Sequence, residues 1–316
     1  MVSQQAPQWA IFSDGLTKSF GSHNAVDAID LRVPKGSIFG FLGPNGSGKT
    51  TAIRMLMGLA NISSGQVCLL GYSIPKDIGK ALPKVGALVE GPAFYPYLSG
   101  RDNLIRFDAA DRYADASTRS ARVDSALVRV GLTQAAGKKV HAYSLGMKQR
   151  LGIANALLQP RELLVLDEPT NGLDPQGTRE VRNLIRSLAA DGITIFISSH
   201  LLVEIEQICT HLAVMSQGKI VAQGSIAELS ESPILNLTLV TPNPIKAIEV
   251  LESLGILAIC EGEVVSALVI HGENEPEKIV RSLVGAGVNV RSFSLAAPTL
   301  EERFVSLTGE GFDVAR

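Results

Sequence analysis

The stretch Gly43-Pro44-Asn45-Gly46-Ser47-Gly48-Lys49-Thr50 sets three glycines beside a lysine and a hydroxyl within eight residues. Glycines let the chain turn its N–H groups inward around an anion, and a helix beginning at the lysine adds the positive end of its dipole. The spacing is G-x-x-x-x-G-K-[ST], which fits a loop that cradles nucleotide phosphates. In such a loop Lys49 brings a full charge to the outer phosphates, and the Thr50 hydroxyl can ligate Mg2+. Thr51 follows on the same element and is counted with the loop.

A second chemical element is Leu163-Leu164-Val165-Leu166-Asp167-Glu168. A carboxylate at the end of a buried strand can hold Mg2+ through its water shell, and the adjacent Glu168 can polarise a water for attack on a phosphate. Strand-end acids are common, so the pair gains its meaning from the glycine-rich loop. Ser144 and Gly146, in Tyr143-Ser144-Leu145-Gly146-Met147, open a further helix and so offer another N-terminal anion site.

These residues need elements to hold them. Ser37–Leu42 is a short apolar run ending at the glycine-rich turn, and Thr50–Leu59 reads as a helix. Leu163–Leu166 and Ile193–Ile197 read as strands buried on both faces, with helices over Arg179–Ala190 and Leu201–Cys209. Strands alternating with helices indicate an α/β layer with mostly parallel strands. A more helical insert spans about 101–158. From 231 to 316 the pattern becomes strand 234–240, helix 244–254, hairpin 257–260 and 264–270, helix 275–284, strand 288–295, and a last helix from Pro298. That order fits a small α+β, ferredoxin-like accessory domain. The expected division is therefore 1–230 and 231–316.

The ordered set of motifs over about 10–230 resembles the ATP-binding cassette (ABC) ATPases. Tyr143–Arg150 looks like that family's signature segment, with departures at Tyr143, Leu145 and Met147. Ser144 and Gly146 keep the residue types expected to contact phosphate. The resemblance implies ATP and Mg2+ as cofactors, Asp167 as a Mg2+ carboxylate, Glu168 as the catalytic glutamate and His200 as the switch histidine. It also implies Asp174 in the D-loop and Phe20 as the aromatic that stacks on adenine. At Glu90 the family usually has Gln; a Glu there resembles the bacitracin- and lantibiotic-resistance branch, and Glu90 is expected to serve as a metal ligand in its place. Phe94, Tyr95 and Tyr97 beside it are expected to receive a helix of a membrane subunit. The C-terminal segment around Ala297–Gly309 resembles the accessory tail of daunorubicin-type export ATPases.

The implied function is the ATP-hydrolysing subunit of an exporter, working by ATP-dependent closure and opening of a head-to-tail dimer. Importer and non-transport ABC ATPases are the alternatives. The expected partners are a separate transmembrane permease chain and a second ATP-binding subunit, most simply a second copy, at the cytoplasmic face of the membrane.

Composition limits the choices in the same direction. Lys+Arg is 29 against 31 Asp+Glu, which lacks the basic excess of a generic nucleic-acid binder. The charge is unevenly shared: 23 basic against 19 acidic side chains in 1–230, and 6 against 12 beyond it. Such an asymmetry supports a domain boundary near 230. Mean hydropathy is +0.21, yet no apolar run approaches the length of a membrane-spanning helix, and the start of the sequence does not read as a secretory signal. Cys68, Cys209 and Cys260 lie far apart and are expected to be reduced and mostly buried.

Overall fold

The computed structural model describes residues 8–91, 93–231, 234–270, 272 and 275–308. The chain divides into two compact units, one ending at Ile226 and the other beginning at Ala227, where the sequence reading placed the division at 230.

Strands β1 (Trp9–Phe20), β2 (His23–Ile29) and β3 (Arg32–Pro34) precede β4 (Ile38–Leu42) and helix α1 (Lys49–Leu56). Next come β5 (Ser64–Leu69), β6 (Tyr72–Ile74), the short α2 (Ile78–Ala81) and β7 (Val85–Leu88). Helices α3 (Gly100–Ala110), α4 (Arg119–Arg129) and α5 (Leu145–Ala156) form the insert ahead of β8 (Leu163–Asp167). Then follow α6 (Pro175–Ala190), β9 (Thr194–Ser199), α7 (Leu202–Ile208), β10 (His211–Ser216), β11 (Lys219–Ser225) and α8 (Ile226–Ser230), within which the division falls.

The site rests on a six-stranded sheet in the order β11-β10-β4-β9-β8-β7. All its pairs are parallel except β10 with β11. Every residue of β4, β8 and β9 is buried, as expected for central parallel strands covered on both faces. Phe39, Phe41 and Phe196 fill the layer, with ring centroids 5.8 Å and 5.4 Å apart across the β4–β9 pair. A second, antiparallel sheet, β2-β1-β5-β6 with β3 also on β1, was not read from the sequence.

Side-chain caps set helix starts. Asp174 accepts from the Gly177 N–H at 2.7 Å and Pro175 occupies the first turn, so α6 begins four residues earlier than the expected Arg179. In the insert, Ser99 caps α3 by accepting from the Asp102 N–H. The insert is also pinned by Asp108, a fully buried carboxylate that accepts from Arg119 and from Arg122.

The second unit runs β12 (Ile234–Val240), α9 (Pro244–Ser253), β13 (Ala258–Glu261), β14 (Val264–Ile270), α10 (Pro276–Gly285), β15 (Ser292–Ala296) and α11 (Leu300–Thr308). Its sheet has the order β13-β14-β12-β15, antiparallel throughout, so each strand–helix–strand crossover leaves a gap that a strand of the other crossover fills. Leu237, Leu239, Val265 and Val269 meet Leu251, Ile279 and Leu283 in its core. The expected strand over 288–295 starts later, at Ser292. Gly287, at φ 77°, closes α10, and the Val288 N–H returns to the Leu283 carbonyl, burying Val288 against the helices.

All three cysteines are free, but only Cys209 is buried; Cys68 is intermediate and Cys260, on the edge strand β13, is exposed. The expected burial therefore holds at Cys209 and fails at Cys260, whose strand lies at the sheet edge. No helix among the described residues is long and apolar enough to cross a membrane.

Candidate functional site

The glycine-rich loop joins β4 to α1, so its N–H groups and the α1 dipole share one end of the sheet. Gly48 is the N-cap of α1 at φ 103°, and a Cβ there would lie 2.2 Å from the Ala25 carbonyl oxygen. A Cβ on Gly43 would lie 2.3 Å from the Met215 carbonyl oxygen. Both positions therefore demand glycine for space. Gly46, at φ 80°, demands it for conformation. The Gly218 N–H donates to the Ser47 carbonyl at 3.0 Å, bracing the loop from the turn after β10.

Lys49 is the first residue of α1 and is buried. Its ammonium donates to the Gly43 carbonyl at 2.6 Å and the Pro44 carbonyl at 3.1 Å, and lies 3.8 Å from Glu168 Oε1. Burial lowers its pKa from the ordinary lysine value, against the pull of Glu168 and then Asp167, which raise it. Ser47 Oγ is buried with no hydrogen-bond partner. An orphaned hydroxyl, a cradle that a Cβ would fill and a buried ammonium fit a phosphate chain, which accepts hydrogen bonds and carries negative charge.

Asp167 ends β8 and is buried. Ser198 of β9, its register partner, donates to Asp167 Oδ1 and accepts the Glu168 N–H at 2.9 Å. Glu168 stands at φ 48°, a conformation that non-glycine residues hold only when surroundings fix it. Its Oε2 lies 2.9 Å from His200 Nδ1. One carboxylate thus spans Lys49 on one side and His200 on the other. The sequence reading missed Ser198, whose partners stand 30 and 31 residues away. Thr170 and Ser199 converge on Glu204 of α7, which braces the segment behind His200.

Among the described residues no cluster of three or more His, Cys, Asp or Glu could hold a metal. Thr50 follows Lys49 on α1 and Asp167 ends β8; a hydroxyl and a carboxylate are the donor types that suit Mg2+, which takes one or two protein oxygens with water and phosphate oxygens.

Phe20, at the end of β1, is 60% exposed, and the Lys18 ammonium lies 5.1 Å from its ring centroid. The lysine sits over one face, and the exposed ring offers its remaining surface to a stacking aromatic. Ser144, Gly146 and Asp174 form a separate group. Ser144 caps α5 by accepting from the Met147 N–H at 3.2 Å, Asp174 caps α6, and a Cβ on Gly146 would lie 3.6 Å from Gly177 Cα. Among the described residues none of the three bonds to Lys49, Asp167, Glu168 or His200. The Glu90 carboxylate is ion-paired to Arg54 of α1. Phe94 packs edge-on against Phe107, whereas Tyr95 and Tyr97 are exposed.

A parallel sheet with a phosphate loop at the end of one strand and paired acids at the end of another is the framework of a P-loop NTPase cassette. Residues 26–171 match the family model described as ABC transporter. The chain is 39% identical to the bacitracin transport ATP-binding protein BcrA of Bacillus licheniformis, over 94% of this chain and 96% of that protein. It is 34% identical to the daunorubicin resistance ATP-binding protein DrrA3 of Streptomyces coeruleorubidus, over 95% of this chain and 96% of that protein. Among solved structures, cbiO1 from Clostridium perfringens, part of the ABC transporter complex cbiONQ, matches with a TM-score of 0.64 at 29% identity, over 70% of this chain and 90% of that one. The chain belongs to the ATP-binding proteins of the ABC transporter family, and its nucleotide is ATP.

Proposed function

We propose that this chain is the ATP-hydrolysing subunit of a membrane exporter for drugs, antibiotics or lipids. The observation that carries the ATPase reading is the Glu168 carboxylate held between the Lys49 ammonium and the His200 ring. The relatives named for bacitracin transport and daunorubicin resistance support the direction of transport.

In this reading the loop N–H groups and Lys49 bind and orient the phosphates, and Phe20 stacks on the base. Glu168 accepts a proton from the attacking water, and His200 holds the carboxylate in place. Thr50 and Asp167, with Glu90 as a further oxygen donor, would hold Mg2+, which when bound neutralises phosphate charge. Ser144, Gly146 and Asp174 serve a second copy's nucleotide rather than this chain's own, in keeping with the absence among the described residues of any bond from them to Lys49, Asp167, Glu168 or His200. Tyr95 and Tyr97 supply exposed aromatic anchors for a permease chain at the cytoplasmic face of the membrane. The unit beginning at Ala227 then acts in dimer stability or regulation.

The test is Glu168→Gln. The variant is expected to bind ATP, to lose turnover by at least about a hundredfold, and to accumulate as a nucleotide-bound dimer in size-exclusion chromatography. Normal turnover by this variant would refute the assignment.

A further inference from the structure

Glu90 and Glu168 occupy equivalent places on neighbouring strands. β7 and β8 pair in parallel with Leu88 opposite Leu166, and each glutamate follows two residues beyond that pair. Both stand at positive φ, 65° for Glu90 and 48° for Glu168, and Gly91 follows at 80°. Adjacent strands lie roughly 5 Å apart, so the segment carrying Glu90 leaves the sheet beside the hydrolytic carboxylate.

What fixes Glu90 there is Arg54. Its Nε donates to Glu90 Oε1, and its Nη2 forms an ion pair with that same carboxylate oxygen. Arg54 lies on α1 four residues after Thr50, hence on the same helix face one turn further from the loop. The pair ties the helix that opens at the phosphate loop to the segment leaving β7. A planar guanidinium fixes the direction of a carboxylate in a way that a flexible ammonium does not.

We propose that Arg54 is a positioning residue for Glu90: it holds Oε1 and offsets the carboxylate's charge, so that Oε2 is presented to the cation that accompanies the nucleotide. A glutamine at position 90 carries no charge to offset and needs no such partner. The inference rests on the ATPase reading above, since it concerns the cation of that same site.

The experiment measures the affinity of the full chain for a fluorescent, non-hydrolysable ATP analogue, once in EDTA and once in Mg2+. The ratio of the two dissociation constants reports cation assistance without turnover. Arg54→Ala is expected to reduce that ratio by about two- to fivefold, the range of a partly exposed ion pair. Arg54→Lys should recover part of the loss, and in a Glu90→Gln background Arg54→Ala should change nothing further. Arg54 is exposed, and unchanged thermal melts of the variants would exclude a folding defect. Equal losses in both backgrounds, or no loss in either while the wild type binds the analogue, would overturn the positioning role and leave the ATPase reading intact. Failure of the wild type to bind the analogue at all would overturn both.

Discussion

Ser198 gives its hydroxyl hydrogen to Asp167 and takes the backbone N–H of Glu168, so one oxygen couples the two acidic residues of the site. Ser198→Ala leaves a buried carboxylate oxygen and a backbone N–H without that partner. Unpaired buried groups of this kind cost about 1–3 kcal/mol. Groups that orient a metal-binding carboxylate typically contribute about 10–100-fold to affinity or activity. The variant should therefore melt earlier in urea and need more Mg2+ for half-maximal turnover, in a Mg2+ titration run beside the wild type. Wild-type values in both assays would remove Ser198 from the site.

Gly48 and Gly46 separate two reasons for glycine. A methyl group at Gly48 meets the Ala25 carbonyl at 2.2 Å, whereas nothing lies within 4 Å of one at Gly46. Gly46→Ala should cost about 1 kcal/mol of backbone strain and keep nucleotide binding. Gly48→Ala must displace the chain at Ala25 and should lose binding. Equilibrium binding of a fluorescent ATP analogue to the two variants decides this, and equal affinities would show that the contact with Ala25 is immaterial.

Asp108 gives a pH dependence whose sign can be worked out. Burial pushes its carboxyl group up, but the Arg122 and Arg119 guanidiniums together outweigh it and hold the pKa below the ordinary aspartate value. A folded-state value below the unfolded one contributes stability above the unfolded pKa of about 4, and that stability is lost as pH falls through the folded value. Asp108→Asn should be less stable than wild type at pH 7 by about 2–4 kcal/mol, with the gap narrowing on acidification below about pH 4. Urea midpoints at several pH values measure the gap, and one that widened on acidification would contradict the assignment.

The cysteines should react in a set order. Burial pushes the Cys209 thiol far up and the Cys68 thiol up, whereas Cys260 is exposed. The thiolate is the reactive form, so a maleimide reagent should label Cys260 first, Cys68 slowly and Cys209 only on unfolding. Mass spectrometry of the labelled peptides over time gives the order, and early labelling of Cys209 would contradict its burial.

The parts of the molecule legible in the sequence were those dictated by local pattern. Leu163–Asp167 and Thr194–Ser199 are continuous buried runs, and the loop from Gly43 to Thr50 is defined by spacing alone. The β1–β2–β5 layer was not legible. β1 mixes buried, half-buried and exposed side chains without clean alternation, and its register with β5 shifts between Asp14 and Thr17. The start of α6 is set by the Asp174 cap and Pro175, which lie ahead of the apolar periodicity that marks the helix in the sequence. Ser198 and Arg54 were invisible for another reason: the groups they serve are distant in sequence and are brought near only by strand order.

The parallel ladder also behaves as a ruler. Gly40 faces Ile197, Leu42 faces Ser199, Asp167 faces Ser198 and Leu88 faces Leu166, so the phosphate loop, the acids and the histidine segment leave the sheet at a shared depth. One residue added to β4, β8 or β9 would advance the following group by about 3.3 Å and turn it to the opposite face. The same residue added to the exposed turn at Glu261-Gly262-Glu263 in the second unit would disturb none of these alignments. Tolerance to change in chain length should thus be nearly absent in three short strands and generous in that turn, independent of which amino acid is added.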